Sequence, residues 1–231
     1  MANFFTTSIG KKILLSLTGS FLLIFLMVHL TINSMILFDD SGVLFNKAAH
    51  FMHTNIIIKI VEPILAIGLI LHFLLASLIT LQNQAKRDVS HAGLARYKKR
   101  DATKSSKWTS RNMYVLGTLI LSFLVIHIIN FFWKMKFIGG LDTVMIGGEN
   151  VTNAYTLVTS LFITWKSTVV IYVIGAIALG LHLHHGVWSA FQSLGLSNRK
   201  WRKILNVLGI LISIFLAAGY ALIPIYVILT S

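Results

Sequence analysis

Apolar residues run through the chain in five long stretches, and charged residues gather in the short segments between them. A helix needs about 20 apolar residues to cross the hydrocarbon core of a bilayer. Each stretch meets this length, so we predict transmembrane helices over residues 13–38, 56–82, 112–133, 160–192 and 204–230. The fourth stretch is long enough to require tilt or an extension into water.

Composition supports the same class. The chain has 231 residues, of which 56% are hydrophobic and 12% are charged, whereas a soluble domain averages about a quarter charged residues. We therefore predict an all-α membrane protein whose residues 1–231 form a single integral membrane domain. The chain contains no cysteine, which excludes iron–sulfur clusters, thiolate zinc sites and disulfides carried by this chain itself.

The net charge of +13 would suit a nucleic-acid-binding protein, but its distribution argues against that class. Of the 20 lysines and arginines, 15 lie in the N-terminal segment and the segments on the same side, including the basic loop 83–111, and five of the seven acids lie on the other side. Cytoplasmic loops carry the excess of positive charge, so we predict a multi-pass membrane protein with a cytoplasmic N-terminus. The basic loop would contact anionic lipid headgroups or dock a cytoplasmic partner.

Each of the first four spans carries a histidine within its apolar run: His29, His72, His127 and His182. At about 1.5 Å per residue, His29 and His127 lie roughly 24–25 Å from the basic ends of their helices. The other two helices run in the opposite direction, and His72 and His182 lie roughly 15 Å from the same side. The four histidines therefore sort into two pairs by depth.

If the first four spans form a bundle, each pair can meet in its core, where bundles commonly build cofactor sites. Two facing imidazoles suit the two axial positions of a haem, so the pattern favours a four-helix haem-binding bundle with two haems. A proton relay in a transporter and structural polar contacts remain as alternatives. The similar offsets in spans 1–2 and 3–4 are also typical of a duplicated helical hairpin.

The segment GLHLHHGVWS leaves the fourth ligand open. His182 and His185 are three residues apart and share a helix face, while His184 points elsewhere. Depth matching with His72 favours His182. His50 and His53, in a predicted loop, are also three residues apart and could form a metal site, a polar cap over the membrane or ordinary surface.

The stretch SIGKKILLSLTG at the first span and HLHHGVWSAFQSLG at the end of the fourth, together with one histidine in each of four spans, resemble the cytochrome b membrane-anchor subunit of succinate dehydrogenase and fumarate reductase. The resemblance is to the single-subunit, five-helix, dihaem type and covers essentially the whole chain. It implies two haems b, the distal one held by His29 and His127 and the proximal one by His72 and His182.

The resemblance also implies a function. Such an anchor is a non-catalytic subunit for succinate chemistry, and it passes electrons between an iron–sulfur subunit and a membrane quinone, usually menaquinone. A flavoprotein and the iron–sulfur subunit would dock on the cytoplasmic side. Candidate contacts of the haem propionates or the quinone are Ser16, Arg111, His185, Ser189, Gln192, His50 and His53.

Two other functions stay open at this point. The chain could be the cytochrome b subunit of a different quinone-linked oxidoreductase, such as a membrane hydrogenase or formate dehydrogenase. It could also be a haem-free transporter with buried histidines. The identity of the co-purifying subunits would distinguish a succinate-linked anchor from the first alternative. A b-type haem spectrum would distinguish a cytochrome b from the haem-free transporter.

Overall fold

The computed structural model of the chain describes residues 7–93, 108, 112–196, 198 and 201–231, with side chains up to residue 85 in the first range. It is 85% helical, and five of its helices are long and apolar enough to cross a membrane. The predicted all-α membrane protein with five spanning helices is confirmed at this level. The five spans are Ser8–Leu37, Ile56–Ala85, Met113–Ile138, Lys166–Ser193 and Trp201–Thr230.

Seven α-helices and one β-hairpin make up the described chain. The helices are α1 (Ser8–Ser34), α2 (Val43–Thr54), α3 (Ile56–Gly93), α4 (Met113–His127), α5 (Ala154–Thr164), α6 (Lys166–Ser193) and α7 (Trp201–Thr230). A 3₁₀ turn at Met35–Leu37 extends α1, and a π-helical segment at Ile128–Ile138 continues α4. The hairpin strands are β1 (Thr143–Ile146) and β2 (Glu149–Thr152). We call the end where α1 begins the basic side and the opposite end the hairpin side.

The predicted boundaries were wrong at three places. The fourth span does not start at residue 160, because the helix breaks at Trp165, whose φ of −118° and ψ of 77° lie outside the helical region. The third span runs past residue 133 to Ile138, because the π-helical segment carries the chain past Lys134 and Lys136. The start of the basic loop is also helical, since α3 continues to Gly93.

The first four spans form a closed ring. The helix α1 packs against α3 on one side and α6 on the other, α4 packs against α6, and a smaller contact between α3 and α4 closes the ring. The fifth span, α7, lies outside the ring, along α6 and partly against α1. This arrangement directs one face of each of the four histidine-bearing helices towards a common interior.

Small residues let α6 and α7 approach closely. A Cβ atom added at Gly180 would lie 2.7 Å from the Cβ of Ala217, and one added at Gly209 would lie 3.5 Å from Val187. Close backbone approach at small residues is the usual basis of helix packing in lipid. The contact anchors the fourth histidine-bearing helix to a helix that carries none.

A small cap covers the hairpin side. Its strands pair antiparallel with Ile146 opposite Glu149, and Gly147 and Gly148, both with positive φ, make the turn; a two-residue turn of this kind matches strand twist. The buried side chain of Asn46 connects α2 to the start of α5 by two hydrogen bonds. Its Nδ2 donates to Asn153 Oδ1 at 3.0 Å, and its Oδ1 accepts from the backbone N–H of Tyr155 at 2.8 Å.

Charged groups organise the start of α2. The backbone N–H of Leu44 donates to Asp39 Oδ2 at 2.7 Å, and the hydroxyl of Ser41 donates to Asp39 Oδ1. The Ser41 hydroxyl and the Leu44 amide hold the pKa of Asp39 below its usual value.

Burial, and then the carboxylates of Asp40 and Asp39, raise the pKa of Tyr155.

Candidate functional site: two facing histidine pairs

The hairpin-side pair consists of His29 and His127. The two imidazoles meet across the ring interior with centroids 5.8 Å apart and planes at 89°. His127 is the last residue of α4, immediately before the π-helical segment. Such π-helical distortions are frequent at functional sites.

Aromatic rings surround the hairpin-side pair. Phe25 stacks on His29 at 5.2 Å and 17°, and the ring of Tyr220 lies 6.1 Å from His29. Three further rings lie within about 6 Å of His127, namely Phe123, Phe131 and Tyr172. The surroundings of this pair are therefore mainly aromatic.

The two tyrosines of this group are held by their hydroxyls. Tyr220 in α7 donates to the backbone carbonyl of Leu26 at 2.7 Å, and Asn130 Nδ2 in the π-helical segment donates to Tyr172 Oη at 3.2 Å. Buried tyrosine hydroxyls normally find such partners. These hydrogen bonds hold the two tyrosine rings in place against His29 and His127.

The basic-side pair consists of His72 and His182, with centroids 6.4 Å apart and planes at 67°. Each ring lies over a glycine of a neighbouring helix. A Cβ at Gly19 would lie 3.1 Å from Cε1 of His72, and a Cβ at Gly117 would lie 3.5 Å from Cε1 of His182. Gly19 leaves room for His72, because an added Cβ would be closer than ordinary contact, whereas an added Cβ at Gly117 would make ordinary contact with His182.

Hydrogen bonding distinguishes the members of the pairs. Nδ1 of His72 lies 3.2 Å from the hydroxyl oxygen of Thr18. In contrast, Nδ1 of His127 and Nδ1 of His182 are buried, and neither has a hydrogen-bond partner within the described part of the chain. Buried polar atoms normally have partners, so these two imidazoles are polar groups without a structural explanation of their own.

The geometry of both pairs fits two ligands of a single metal centre. Two imidazole nitrogens that each lie about 2 Å from one metal, on opposite sides of it, place the ring centroids roughly 6 Å apart, and the observed separations are 5.8 and 6.4 Å. Among the described residues no group of three or more His, Cys, Asp or Glu side chains could hold a metal ion. A bare ion would therefore find only two protein ligands at each pair, whereas a haem would supply further ligands of its own to an iron held by the two histidines.

The two halves of the helical bundle, α1 with α3 and α4 with α6, place glycine and histidine at equivalent positions. Gly19 precedes His29 by ten residues in α1, and Gly117 precedes His127 by ten residues in α4. In each half the glycine lies beneath the histidine of the following span, His72 or His182. This equivalence adds structural detail to the duplicated hairpin that the histidine offsets predict.

None of the other predicted site residues that the structure describes is a member of either facing pair. Ser16 is buried and donates to the carbonyl of Lys12 at 2.9 Å, so its hydroxyl satisfies its own helix. The half-buried residues His184, His185 and Ser189 and the exposed Gln192 lie along the last turns of α6. Arg111 lies outside the described residues.

His50 and His53 belong to the cap, and their assignment to a loop was wrong because both lie in α2. Together with Met135, Val151 and other residues they line a cavity of about 40 Å³ on the hairpin side. His50 Nε2 lies 3.8 Å from the carboxylate of Glu149. Neither histidine forms a facing pair of the kind found in the bundle.

Sequence reasoning missed the residues that support the four histidines: Thr18, Gly19, Gly117, Tyr172 and Tyr220. The ten-residue spacing of glycine and histidine was a readable signal for two of them. The tyrosines carried no signal of this kind, because Tyr220 comes from the fifth span and Tyr172 contacts His127 of a different helix.

Neither family models nor curated proteins nor solved structures give a match to this chain. The assignment of a function therefore rests on the residues of the bundle and on the resemblance carried by the two sequence stretches described above.

Proposed function

We propose that this chain is a dihaem cytochrome b membrane anchor of a succinate:quinone oxidoreductase. The observation that carries the proposal is the presence of two facing histidine pairs at two depths of one helical bundle. Gly19, beneath the basic-side pair, and His29, in the hairpin-side pair, are ten residues apart, which separates the pairs by about 15 Å along the helix axis.

His29 and His127 would hold one haem b, and His72 and His182 would hold the other. Haem, when bound, supplies a one-electron carrier at each depth. The chain's part is to orient the imidazoles and to set the polarity around them. Aromatic rings lie against His127 and His29 on the hairpin side, and Thr18 supplies a polar contact on the basic side.

The proposed partners follow from the charge distribution and the family resemblance. The basic side, predicted to be cytoplasmic, carries Lys11, Lys12, Arg202 and Lys203, and the Arg202 guanidinium lies 5.8 Å from the Trp188 ring. An iron–sulfur subunit and a flavoprotein would dock there, and a membrane quinone, usually menaquinone in the family, would exchange electrons with the chain. The subunit would thus take part in the respiratory chain and the tricarboxylic acid cycle of a bacterium, in its cytoplasmic membrane.

The first test is the haem content of the purified full chain. We expect a reduced-minus-oxidised spectrum of b type and two haems per polypeptide. The His184→Ala variant is a matched control, because His184 lies in the same helix as His182 but belongs to neither pair; it should keep both haems. A wild-type chain that carries no haem after haem-replete expression would contradict the proposal and return the histidines to transport or to structure.

The second test is the identity of the co-purifying subunits. A covalent flavin and iron–sulfur clusters in the complex support succinate chemistry. Nickel or molybdenum in place of the flavin would assign the chain to a different quinone-linked oxidoreductase while leaving the two haem sites in place.

A further inference from the structure

The hydroxyl of Thr18 makes two kinds of contact at once. Its oxygen lies 3.0 Å from the carbonyl oxygens of both Leu14 and Leu15, on its own helix, and 3.2 Å from Nδ1 of His72 on α3. Thr18 directly precedes Gly19, over which the His72 ring lies. The contact therefore joins two helices at the basic-side pair.

A hydroxyl has one proton to donate and two lone pairs that accept. Carbonyl oxygens can only accept, so the Thr18 proton is committed to the helix carbonyls, as is common for threonine within a helix. The contact with His72 then requires the imidazole to donate. The proton of the neutral His72 ring must lie on Nδ1, which leaves the lone pair on Nε2.

We propose that Thr18 is a positioning residue that holds His72 in the tautomer whose Nε2 is free to bind a metal. This inference rests on the proposed function, since it concerns how one of the four ligands is prepared. Metal-ligating histidines usually donate their other N–H to an acceptor, which fixes the ring and raises its basicity. Thr18 supplies a side-chain acceptor for His72, next to the backbone of Leu15, which also interacts with the ring.

The two halves of the bundle differ at this point. Leu116 precedes Gly117 as Thr18 precedes Gly19, and Leu116 is buried. A leucine has no side-chain acceptor to offer. The backbone of Met113 lies within reach of the His182 ring, but Nδ1 of His182 makes no hydrogen bond of ordinary geometry with the described residues. The basic-side site therefore has one histidine with a side-chain acceptor and one without.

The experiment uses the haem-loaded full chain with three substitutions. Thr18→Val keeps the shape and removes the hydroxyl, Thr18→Ser keeps the hydroxyl and removes a methyl group, and Leu116→Thr adds a hydroxyl at the equivalent place beside His182. The readouts are haem per chain and the midpoint potential of each haem in a redox titration. Neither readout depends on succinate activity.

Loss of the acceptor makes His72 a weaker donor to ferric iron, so Thr18→Val should raise one midpoint potential and weaken retention of that haem by about 10- to 100-fold. The other haem should not change. Thr18→Ser should restore wild-type values, and Leu116→Thr should lower the potential of the same haem. Equal effects of Thr18→Val and Thr18→Ser would indicate a packing role only and would overturn the proposal, as would a Thr18→Val variant identical to wild type.

Failure of the proposed function gives a different result. If the wild-type chain carries no haem, nitrogen NMR of the labelled haem-free protein still reports the tautomer of His72. A proton on Nδ1 that shifts towards Nε2 in Thr18→Val supports the positioning role without haem. A proton on Nε2 in the wild type would overturn it.

Discussion

The substitution Gly175→Ala tests how tightly the hairpin-side pair is packed. Gly175 lies in α6, and an added Cβ would come within 2.7 Å of the Phe123 ring, whereas ordinary contact begins at 3.4 Å. Phe123 would have to retreat by about 0.7 Å. Its ring lies 6.0 Å from His127 and 5.0 Å from Tyr172, so it has aromatic neighbours on both sides. Overpacking of this kind costs typically about 1–3 kcal/mol.

The matched control is Gly117→Ala, which adds the same methyl group in a spanning helix beside the other pair. Its Cβ would lie 3.5 Å from Cε1 of His182, which is ordinary contact, and alanine is preferred over glycine in a helix interior by roughly 0.5–1 kcal/mol. We expect Gly117→Ala to be neutral or slightly stabilising. Thermal unfolding of the detergent-solubilised protein, followed by tryptophan fluorescence, should show Gly175→Ala to be clearly less stable. Equal unfolding temperatures for the two variants would refute the packing argument.

Three further predictions concern the hairpin side. Asn46→Ala should destabilise the chain by about 1–3 kcal/mol, because it leaves buried polar partners unsatisfied; His50→Ala, a half-buried change on the same helix, is the control for the same unfolding assay. The pKa of Asp39 lies below the ordinary value of 3.8, so its carboxylate stabilises the start of α2 at pH values above the pKa of the unfolded chain. Lowering the pH through the pKa of the folded chain protonates Asp39, and the start of α2 should then lose its hydrogen bonds to this side chain. Faster amide exchange at that end, without a change in the bundle, would show this. Lys136→Met should lower the free energy of unfolding by at most about 1 kcal/mol, because the ion pair with Glu62 is partly exposed. A decrease above about 3 kcal/mol in urea unfolding would contradict a minor role of this ion pair.

The spans and the depth of the histidines could be predicted because a bilayer imposes length and apolarity on any helix that crosses it. The same constraint gives histidine positions a depth, and the structure brings together His29 with His127 and His72 with His182. Pairing across the ring needed only helix direction and the rise per residue.

Local irregularities were harder to predict. The break at Trp165 has neither proline nor glycine to announce it, and the π-helical segment after His127 has the composition of an ordinary apolar helix. The hairpin did carry a signal, because Gly147 and Gly148 separate two short apolar-polar runs, but a glycine-rich loop between spans has the same composition.

The support of the histidines was the least predictable feature. Threonine is common in apolar helices, where it satisfies a carbonyl of its own helix, and only the packing of α1 against α3 shows that Thr18 also reaches His72. Tyr220 reaches His29 from the fifth span, which the histidine pattern does not include.

The most direct test of the central claim is haem stoichiometry in single and double histidine variants of the full chain. Each of His29→Ala, His72→Ala, His127→Ala and His182→Ala should lose one haem of two. The double variant of His29 and His127 should lose no more than either single variant, and the double variant of His29 and His72 should lose both haems. Loss that follows any other pairing, or a double variant of His29 and His127 that loses both haems while remaining folded, would contradict the account.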